Sequence, residues 1–277
     1  MGLRIATNVQ SLAAQRNLGI TNGAQKASLE KMASGARITR AADDAAGLAI
    51  SDRMRSQVRS IRQDVRNAND GISMIQTAEG GMNEIGNILV RFRELSIQAA
   101  SDTISDTERG FIDKEVQQLH SEVDRISKST EFNGHKLLNG EGENLEIQVG
   151  VGNDIALDRF QYDPSKTNVT TEHLGIGTMS VKDKVSAQNN LTAIDTAIST
   201  LSANRAEMGA LQNRLQATVA NLNIYDENLS AARSRIYDVD MASETAELTK
   251  QNILSQAGTS VLSQANQNNT LALKLIG

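Results

Sequence analysis

Residues 58–99 read VRSIRQDVRNANDGISMIQTAEGGMNEIGNILVRFRELSIQA. Apolar residues recur here mostly at steps of three and four, the spacing of one face of an α-helix. The repeat comprises Val58, Ile61, Val65, Ala68, Ile72, Ile75, Met82, Ile85, Leu89, Phe92, Leu95 and Ala99. Upstream, Asp43 and Asp44 suit a helix start at Ala45, since carboxylates favour the positive end of the helix dipole. The pattern predicts one helix of about 55 residues, roughly 80 Å long.

Two further apolar stripes predict partner helices. A shorter stripe covers residues 112–126, and a longer one covers residues 191–236. The longer stripe slips register near Arg205, as a stammer does in a coiled coil. Proline is the main helix breaker, and the 277 residues contain only one. We therefore predict a mainly α fold, a long antiparallel coiled-coil-like helical bundle that forms a rod.

Residues 141–178 follow a different pattern, because apolar residues alternate there with polar residues or glycine. The alternating residues are Leu145, Ile147, Val149 and Val151. A period of two is that of a β-strand. Ile155 and Leu157, followed by a turn at Asp163-Pro164, suggest a partner strand. The segment predicts a small β-hairpin element inserted between helices.

Both chain ends combine an apolar stripe with many amides. Residues 251–277 carry one charge, Lys274, and eight Asn and Gln side chains. Such a stretch is too polar to span a membrane and lacks the charged face of a solvated helix. The stripes comprise Ile5, Val9 and Leu12 at one end and Leu254, Ala257, Val261, Leu271 and Leu275 at the other. We predict that these residues pack between copies of the chain.

The composition provides no catalytic or metal chemistry. There is no Cys, the three His are scattered, and the net charge of −5 argues against a nucleic-acid partner. The Gly150–Gly152 segment lacks the later glycine of a nucleotide loop. No secretory signal and no apolar run of membrane-spanning length is visible. We expect no catalytic residues, cofactor, metal or membrane insertion, and either a cytoplasmic protein or signal-independent export.

Three long segments resemble bacterial flagellin. Residues 32–51, MASGARITRAADDAAGLAIS, and residues 69–80, NDGISMIQTAEG, are similar to its N-terminal signature. Residues 256–267, QAGTSVLSQANQ, are similar to its C-terminal signature. The resemblance extends over nearly the whole chain outside residues 141–178. It implies a structural, non-enzymatic subunit of the bacterial flagellar filament, in a short form without large outer variable domains.

The resemblance also implies how the chain is organised and used. Residues 1–43 and 237–277 would form an inner, channel-lining domain of paired terminal helices, and residues 44–236 an outer helical rod. The subunit would be exported unfolded through the type III channel, with a chaperone bound to the C-terminal helix. It would then polymerise with other flagellin subunits at the tip, meeting hook-associated and cap proteins in a secreted, extracellular filament for swimming motility.

Three residues match family positions that engage Toll-like receptor 5 of mammalian hosts: Arg91, Leu95 and Glu115. The resemblance therefore implies receptor binding by the monomer. The alternative is structural, with Leu95 belonging to the helix stripe and Arg91 and Glu115 serving subunit contacts.

Three other functions compete with the filament subunit. A hook–filament junction protein shares flagellin-like arms. A flagellin with an inserted hydrolase is disfavoured, because residues 141–178 are too short for such a domain and contain no HExxH motif. A soluble coiled-coil adaptor or receptor ligand would not form filaments that pellet.

Overall fold

The computed structural model describes residues 7–274, and side chains within residues 7–267. In this part of the chain it contains six helices and two two-stranded antiparallel sheets. The helices are α1 (Val9–Ser34), α2 (Ala45–Ala99), α3 (Asp106–Ser129), α4 (Ile155–Asp158), α5 (Lys184–Tyr237) and α6 (Met241–Lys274). The strands are β1 (Glu131–Phe132), β2 (His135–Lys136), β3 (Leu145–Gln148) and β4 (Arg159–Tyr162). The predicted mainly α fold with long helices and small β elements is confirmed.

The chain divides into two compact units. The terminal unit consists of residues 1–58 and 228–277, and the rod unit of residues 59–227. These divisions fall inside α2 and α5, whereas the sequence-based division was placed at the ends of those helices. The functional assignment of the two domains stays a prediction.

The start of α2 follows from two adjacent carboxylates. Asp44 Oδ1 accepts a hydrogen bond from the Gly47 amide at 2.8 Å, which caps the helix. Asp43 closes the preceding turn, accepting from the amides of Arg40 (2.9 Å) and Thr39 (3.0 Å). These bonds, that from Arg40 first, lower the pKa of Asp43. The predicted start at Ala45 and the length of 55 residues are confirmed.

The apolar stripe of α2 forms the centre of the rod-unit core. Ile75, Met82, Ile85, Leu89 and Phe92 are at most 1% exposed. Helix α5 runs antiparallel beside α2, as two ion pairs show at widely separated levels. These pairs are Arg62 with Asp226 at 3.0 Å and Arg93 with Asp195 at 2.8 Å. Both are substantially exposed, so they set the alignment of the helices more than their stability.

The predicted register slip near Arg205 does not occur in the core-facing stripe of α5. Leu201, Asn204, Met208 and Leu215 are all buried. The steps between them are three, four and seven, so the helical repeat is unbroken. The slip arose because Asn204 fills a core position with a polar side chain that an apolar pattern does not count.

Helix α3 turns back along α2 through a capping box and a buried arginine. Ser105 and Glu108 cap each other's backbone amides at its N-terminus. Arg109 is 7% exposed and donates to the carbonyl oxygens of Ala99 (2.8 Å) and Ser101 (2.9 Å). These bonds satisfy carbonyls left open where α2 ends.

The predicted hairpin is present, but its return strand begins later than expected. Strand β3 pairs with β4 from Leu145↔Tyr162 to Gln148↔Arg159. The prediction of a strand at Ile155 and Leu157 was wrong, since both lie in α4, whose first turn is capped by the Asp154 side chain. Their side chains are 57% and 80% exposed, so neither packs on a buried sheet face. The alternation of apolar residues here therefore does not reflect a strand.

A second hairpin, β1–β2, was expected only as a turn. Its two central residues have positive φ, 49° at Asn133 and 83° at Gly134, as a two-residue hairpin turn requires. Residues that follow it enter the core, where Leu137 and Leu138 are fully buried. The Tyr162 hydroxyl donates to the Leu137 carbonyl oxygen at 2.6 Å and so ties the two hairpins together.

The core position of Leu89 gives a first prediction. Leu89→Ala should lower the free energy of unfolding by about 2–5 kcal/mol, because truncation leaves a cavity among side chains that are already close-packed. Val90→Ala on the same helix, where the side chain is 52% exposed, should cost far less. Urea denaturation of both variants measures the difference, and equal effects would place Leu89 outside the core.

Candidate functional site: apolar faces of the terminal helices

Helices α1 and α6 pack antiparallel in the terminal unit. At one end, Asn8 Nδ2 donates to the Ala265 carbonyl oxygen at 2.9 Å, and Ser11 Oγ donates to Asn266 Oδ1 at 2.9 Å. Ser11 is 7% exposed and Ala265 is 6% exposed, so small residues line this part of the seam. Small side chains let the two backbones approach closely.

Amide side chains continue the seam towards the other end. Gln25 Nε2 donates to Asn252 Oδ1 at 2.6 Å, and Ser255 Oγ donates to Asn22 Oδ1 at 3.2 Å. Between these bonds and the Ser11 end of the seam, a Cβ on Gly258 would lie 3.3 Å from Leu18 Cδ1. The abundance of Asn and Gln noted in the sequence therefore includes polar pairs between the two helices.

The chain segments beyond the far end of the seam are joined by backbone bonds. Gly35 ends α1 in the left-handed conformation, with φ of 69°. The Arg37 amide donates to the Tyr237 carbonyl oxygen at 2.7 Å, and the Val239 amide donates to the Gly35 carbonyl oxygen at 3.0 Å. The Arg37 guanidinium also donates to the Ile236 carbonyl oxygen, at 2.6 Å. This joint fixes the register of the helix pair.

Pairing leaves the predicted assembly residues exposed. Val9 is 63% exposed, Leu12 57%, Leu254 46% and Val261 58%, and Ala257 is also exposed. Leu271 lies in α6, but its side chain is outside the described part. Ile5 and Leu275 lie outside the described residues altogether. Every one of the predicted residues whose side chain is described is thus free to contact another molecule.

Sequence reasoning missed further apolar side chains on the same two helices. Ile20 is 66% exposed, Leu29 49% and Ile253 62%. They were not among the residues chosen from the sequence, although Ile20 lies about three turns from Val9 and Ile253 one turn from Ala257 on the same helix faces. The usable signal was composition, since charges are too sparse in α6 to provide a solvated face.

Arg91 and Glu115 meet on the surface of the rod unit. Arg91 donates to Glu115 Oε1 (3.0 Å) across α2 and α3, and to Glu94 Oε2 (2.9 Å) on its own helix. Hydrogen bonds to Glu94 and then to Glu115 raise the pKa of Arg91. Leu95 is different, because it is 1% exposed and belongs to the core stripe. Its burial agrees with the structural alternative, and its role in receptor binding stays a prediction.

Sequence reasoning also missed Phe111 beside this pair. Phe111 is 63% exposed, and Lys114 Nζ lies 5.6 Å from its ring centroid. It stands one helical turn from Glu115, on the same face of α3. The sequence offered a weak signal, an aromatic residue adjacent to the stripe that begins at Ile112.

The described residues contain no group of three or more His, Asp or Glu side chains arranged to hold a metal ion. Within the same part of the chain, no helix is long and apolar enough to cross a membrane.

Family models match both arms of the chain. The bacterial flagellin N-terminal helical region matches residues 5–143, and the bacterial flagellin C-terminal helical region matches residues 191–276. The chain belongs to the bacterial flagellin family. It is accordingly a structural protein of the extracellular flagellar filament and not an enzyme.

Individual relatives agree with this assignment. A flagellin of Halalkalibacterium halodurans is 43% identical over 97% of this chain and 98% of its own length. A flagellin of Bacillus subtilis is 40% identical over 99% of this chain and its full length. The crystal structure of Bacillus cereus flagellin superposes with a TM-score of 0.51 at 33% identity, covering 57% of this chain and 88% of that one. The short form thus matches relatives of similar length.

Asn8 provides a test of the helix pair. Its side chain caps α1 by accepting from the Ser11 amide at 3.0 Å and also binds α6, so Asn8→Ala removes both bonds. We expect a local loss of about 1–2 kcal/mol at this end. Faster hydrogen exchange of the Ser11 amide in the monomer measures it.

Thr21→Ala is the matched control, because the Thr21 hydroxyl donates only within α1, to the Asn17 carbonyl oxygen at 3.1 Å. In Thr21→Ala, hydrogen exchange of the Ser11 amide should stay near that of the wild type. Unchanged protection of Ser11 in Asn8→Ala would mean that Asn8 does not hold the pair together.

Proposed function

We propose that this flagellin polymerises by burying the exposed faces of α1 and α6 against the corresponding helices of neighbouring subunits. The observation that carries the proposal is the exposure of Val9, Leu12, Leu254 and Val261 in a unit whose two helices are already paired. Fully burying one such side chain contributes about 1.5–3 kcal/mol. Repeated over both helices, this burial offsets the entropy lost when subunits associate.

The distribution of charge supports the same role. Within residues 251–267 no Asp, Glu, Lys or Arg is present, so packing this part of α6 against another subunit isolates no unpaired charge of its own. The exposed amides can pair with one another across an interface, as Gln25 and Asn252 do within the chain. Residues 1–43 and 237–277 then form the inner, channel-lining domain, and residues 44–236 the outer rod.

Export of an unfolded chain is compatible with this design. No disulfide restrains the chain, because it has no Cys. Helices α1 and α6 bury few large apolar side chains against each other, so they gain most of their stability on assembly. A chaperone covering the exposed apolar face of α6 would prevent premature association, and hook-associated and cap proteins would present equivalent faces at the filament ends.

The polymerisation proposal is tested by Val261→Asp. A charge at this 58%-exposed position should leave the monomer folded but prevent assembly, because burying an unpaired carboxylate costs several kcal/mol. Circular dichroism checks the monomer, and sedimentation with electron microscopy detects filaments. Normal filaments would show that Val261 is not buried between subunits.

Val261→Leu is the matched control, since it keeps the position apolar and should still assemble. A wild-type chain that stays soluble under all assembly conditions would favour the soluble adaptor instead.

We propose, second, that the monomer is recognised by Toll-like receptor 5 through Arg91 and Glu115. Both side chains are nearly half exposed and joined at 2.9 Å, so they present a fixed charged pair. Phe111, exposed nearby on α3, adds apolar area of the kind that anchors protein interfaces. Leu95, buried beneath, supports the helix that carries Arg91 and makes no direct contact in this proposal.

Arg91→Ala combined with Glu115→Ala should reduce receptor activation by monomer at least about tenfold, the effect of losing roughly 1.4 kcal/mol of binding. Arg125→Ala removes a comparable exposed ion pair, with Glu122, and should signal normally. A reporter-cell dose response measures both variants. Full activity of the folded double variant would remove this pair from the receptor surface.

A further inference from the structure

The β3–β4 hairpin rests on successive turns of α2. At Gly71 the approach is close, since a Cβ there would lie 2.7 Å from Ile147 Cδ1. One turn earlier, Asn67 Nδ2 donates to the Gln148 carbonyl oxygen at 3.1 Å. Asp64 lies one further turn along the same helix face. The order of these contacts brings Asp64 beneath the end of β3.

At this level the hairpin is closed by Asp158. The amides of Val149 and Gly150 both donate to the Asp158 carbonyl oxygen, at 2.8 and 3.1 Å. The Asp158 carboxylate accepts from the Asp154 amide at 2.9 Å. Glycine is needed at 150, because a Cβ there would collide with this carboxylate. Asp158 is therefore held in one place above α2.

Asp64 is buried without compensation. It is 5% exposed, and its Oδ2 has no hydrogen-bond partner among the described residues. Burial raises the pKa of Asp64, and the negative charge of Asp158 raises it further. A buried carboxyl group in this position is far more unfavourable when ionised than when protonated.

The cation on the hairpin does not neutralise Asp64. The Arg159 guanidinium donates to Gln148 Oε1 (3.1 Å), Glu146 Oε2 (2.7 Å) and Asn153 Oδ1 (2.5 Å). Its hydrogen-bonding capacity is thus directed to the outer side of the hairpin. Asp158 is left as the nearest charge of the hairpin, and it has the same sign as Asp64.

The cations on the neighbouring helices are also engaged elsewhere. Their contacts are Arg62 with Asp226 Oδ2 (3.0 Å), Arg66 with Gln63 Oε1 (3.1 Å) and Arg214 with the Phe160 ring (4.7 Å to the centroid). Asp226 on α5, the partner of Arg62, is again negative. No cation among the described residues forms an ion pair with Asp64, so a proton can take the role of neutralising it.

We propose that Asp64 is a proton-controlled latch for the β3–β4 hairpin, which sits closed on α2 when Asp64 is protonated and opens more often when Asp64 is ionised. This is a property of the subunit that goes beyond filament assembly. It makes the hairpin the segment of the rod unit whose seating responds to pH.

The sign follows from proton linkage. A pKa raised in the closed state means that the closed state binds the proton more tightly than the open state. The stabilisation is complete below the ordinary Asp pKa of about 3.9 and is lost as pH rises through the raised value. At pH values above the raised pKa, the opening equilibrium constant exceeds its value at low pH. The ratio is about tenfold for each unit by which the closed-state pKa lies above that of the open state.

Hydrogen exchange of the Val149 and Gly150 amides in the monomer tests the latch. In the wild type, the opening equilibrium after correction for intrinsic exchange should rise with pH across that window. In Asp64→Asn it should stay low and flat, since the amide is neutral at every pH. The Thr130 amide, which donates to the Ile126 carbonyl oxygen at 3.0 Å outside the hairpin, is the internal reference and should not respond.

Two matched variants separate the buried charge from charge in general. Asp70→Asn removes an exposed carboxylate from the same helix and should keep the wild-type pH response. Asp158→Asn removes the second cause of the raised pKa and should move the response to lower pH. Wild-type response in Asp64→Asn, or greater opening of that variant at every pH, would overturn the proposal. So would hairpin closure by calcium chloride at pH 7 that requires Asp64, since a cation would then occupy the role given to the proton.

Discussion

Two helices that pack only against each other can each bury one face, and this limit governs both ends of the chain. The seam between α1 and α6 takes small and polar residues, such as Ser11 and Ala265. The larger apolar side chains of the same helices, Val9 and Val261 among them, remain at the surface because no third layer covers them. The terminal unit by itself therefore leaves a large hydrophobic contribution unused.

The rod unit shows what the same repeat produces when more neighbours are present. The stripe of α2 is covered by α3, α5 and the residues that follow the hairpins, so Leu89 and Phe92 are buried almost completely. Steps of three and four therefore indicate a helix face equally well in both units. They do not indicate whether that face is covered, which depends on how many elements pack against it.

The sequence was accurate where a single local signal dominated. It failed where local signals competed or where packing between distant residues decided. The start of α2 followed from Asp43 and Asp44, whose capping is local. The position of β4 did not, because the alternation of Ile155 and Leu157 was overridden by the Asp154 cap of a short helix. Asn204 was missed for a different reason, since its place in the core is set by the helices packed around it and not by its polarity.

The candidate sites also differ in how far the sequence alone could predict them. The residues proposed for assembly could be named from the sequence because apolar side chains in a helix poor in charge are a compositional feature. The surface pair of Arg91 and Glu115 came from resemblance alone, and its geometry needed the antiparallel packing of α2 and α3. Asp64 gave no signal in the sequence, because a carboxylate on a helix is ordinarily exposed and nothing local announces the hairpin above it.

Polar pairs in the α1–α6 seam and the buried carboxylate in the rod unit have opposite consequences for stability. An amide pair such as Gln25 with Asn252 is satisfied, so it selects one register while adding only about 1 kcal/mol. Asp64 is unsatisfied, so it subtracts from the seating of the hairpin whenever it is ionised. The first arrangement gives a helix pair that is specific without being strongly held. The second gives a surface element whose hold depends on a single proton. In both cases, part of the possible stabilisation is absent from the isolated monomer. Neighbouring subunits or solvent conditions determine whether that stabilisation is gained.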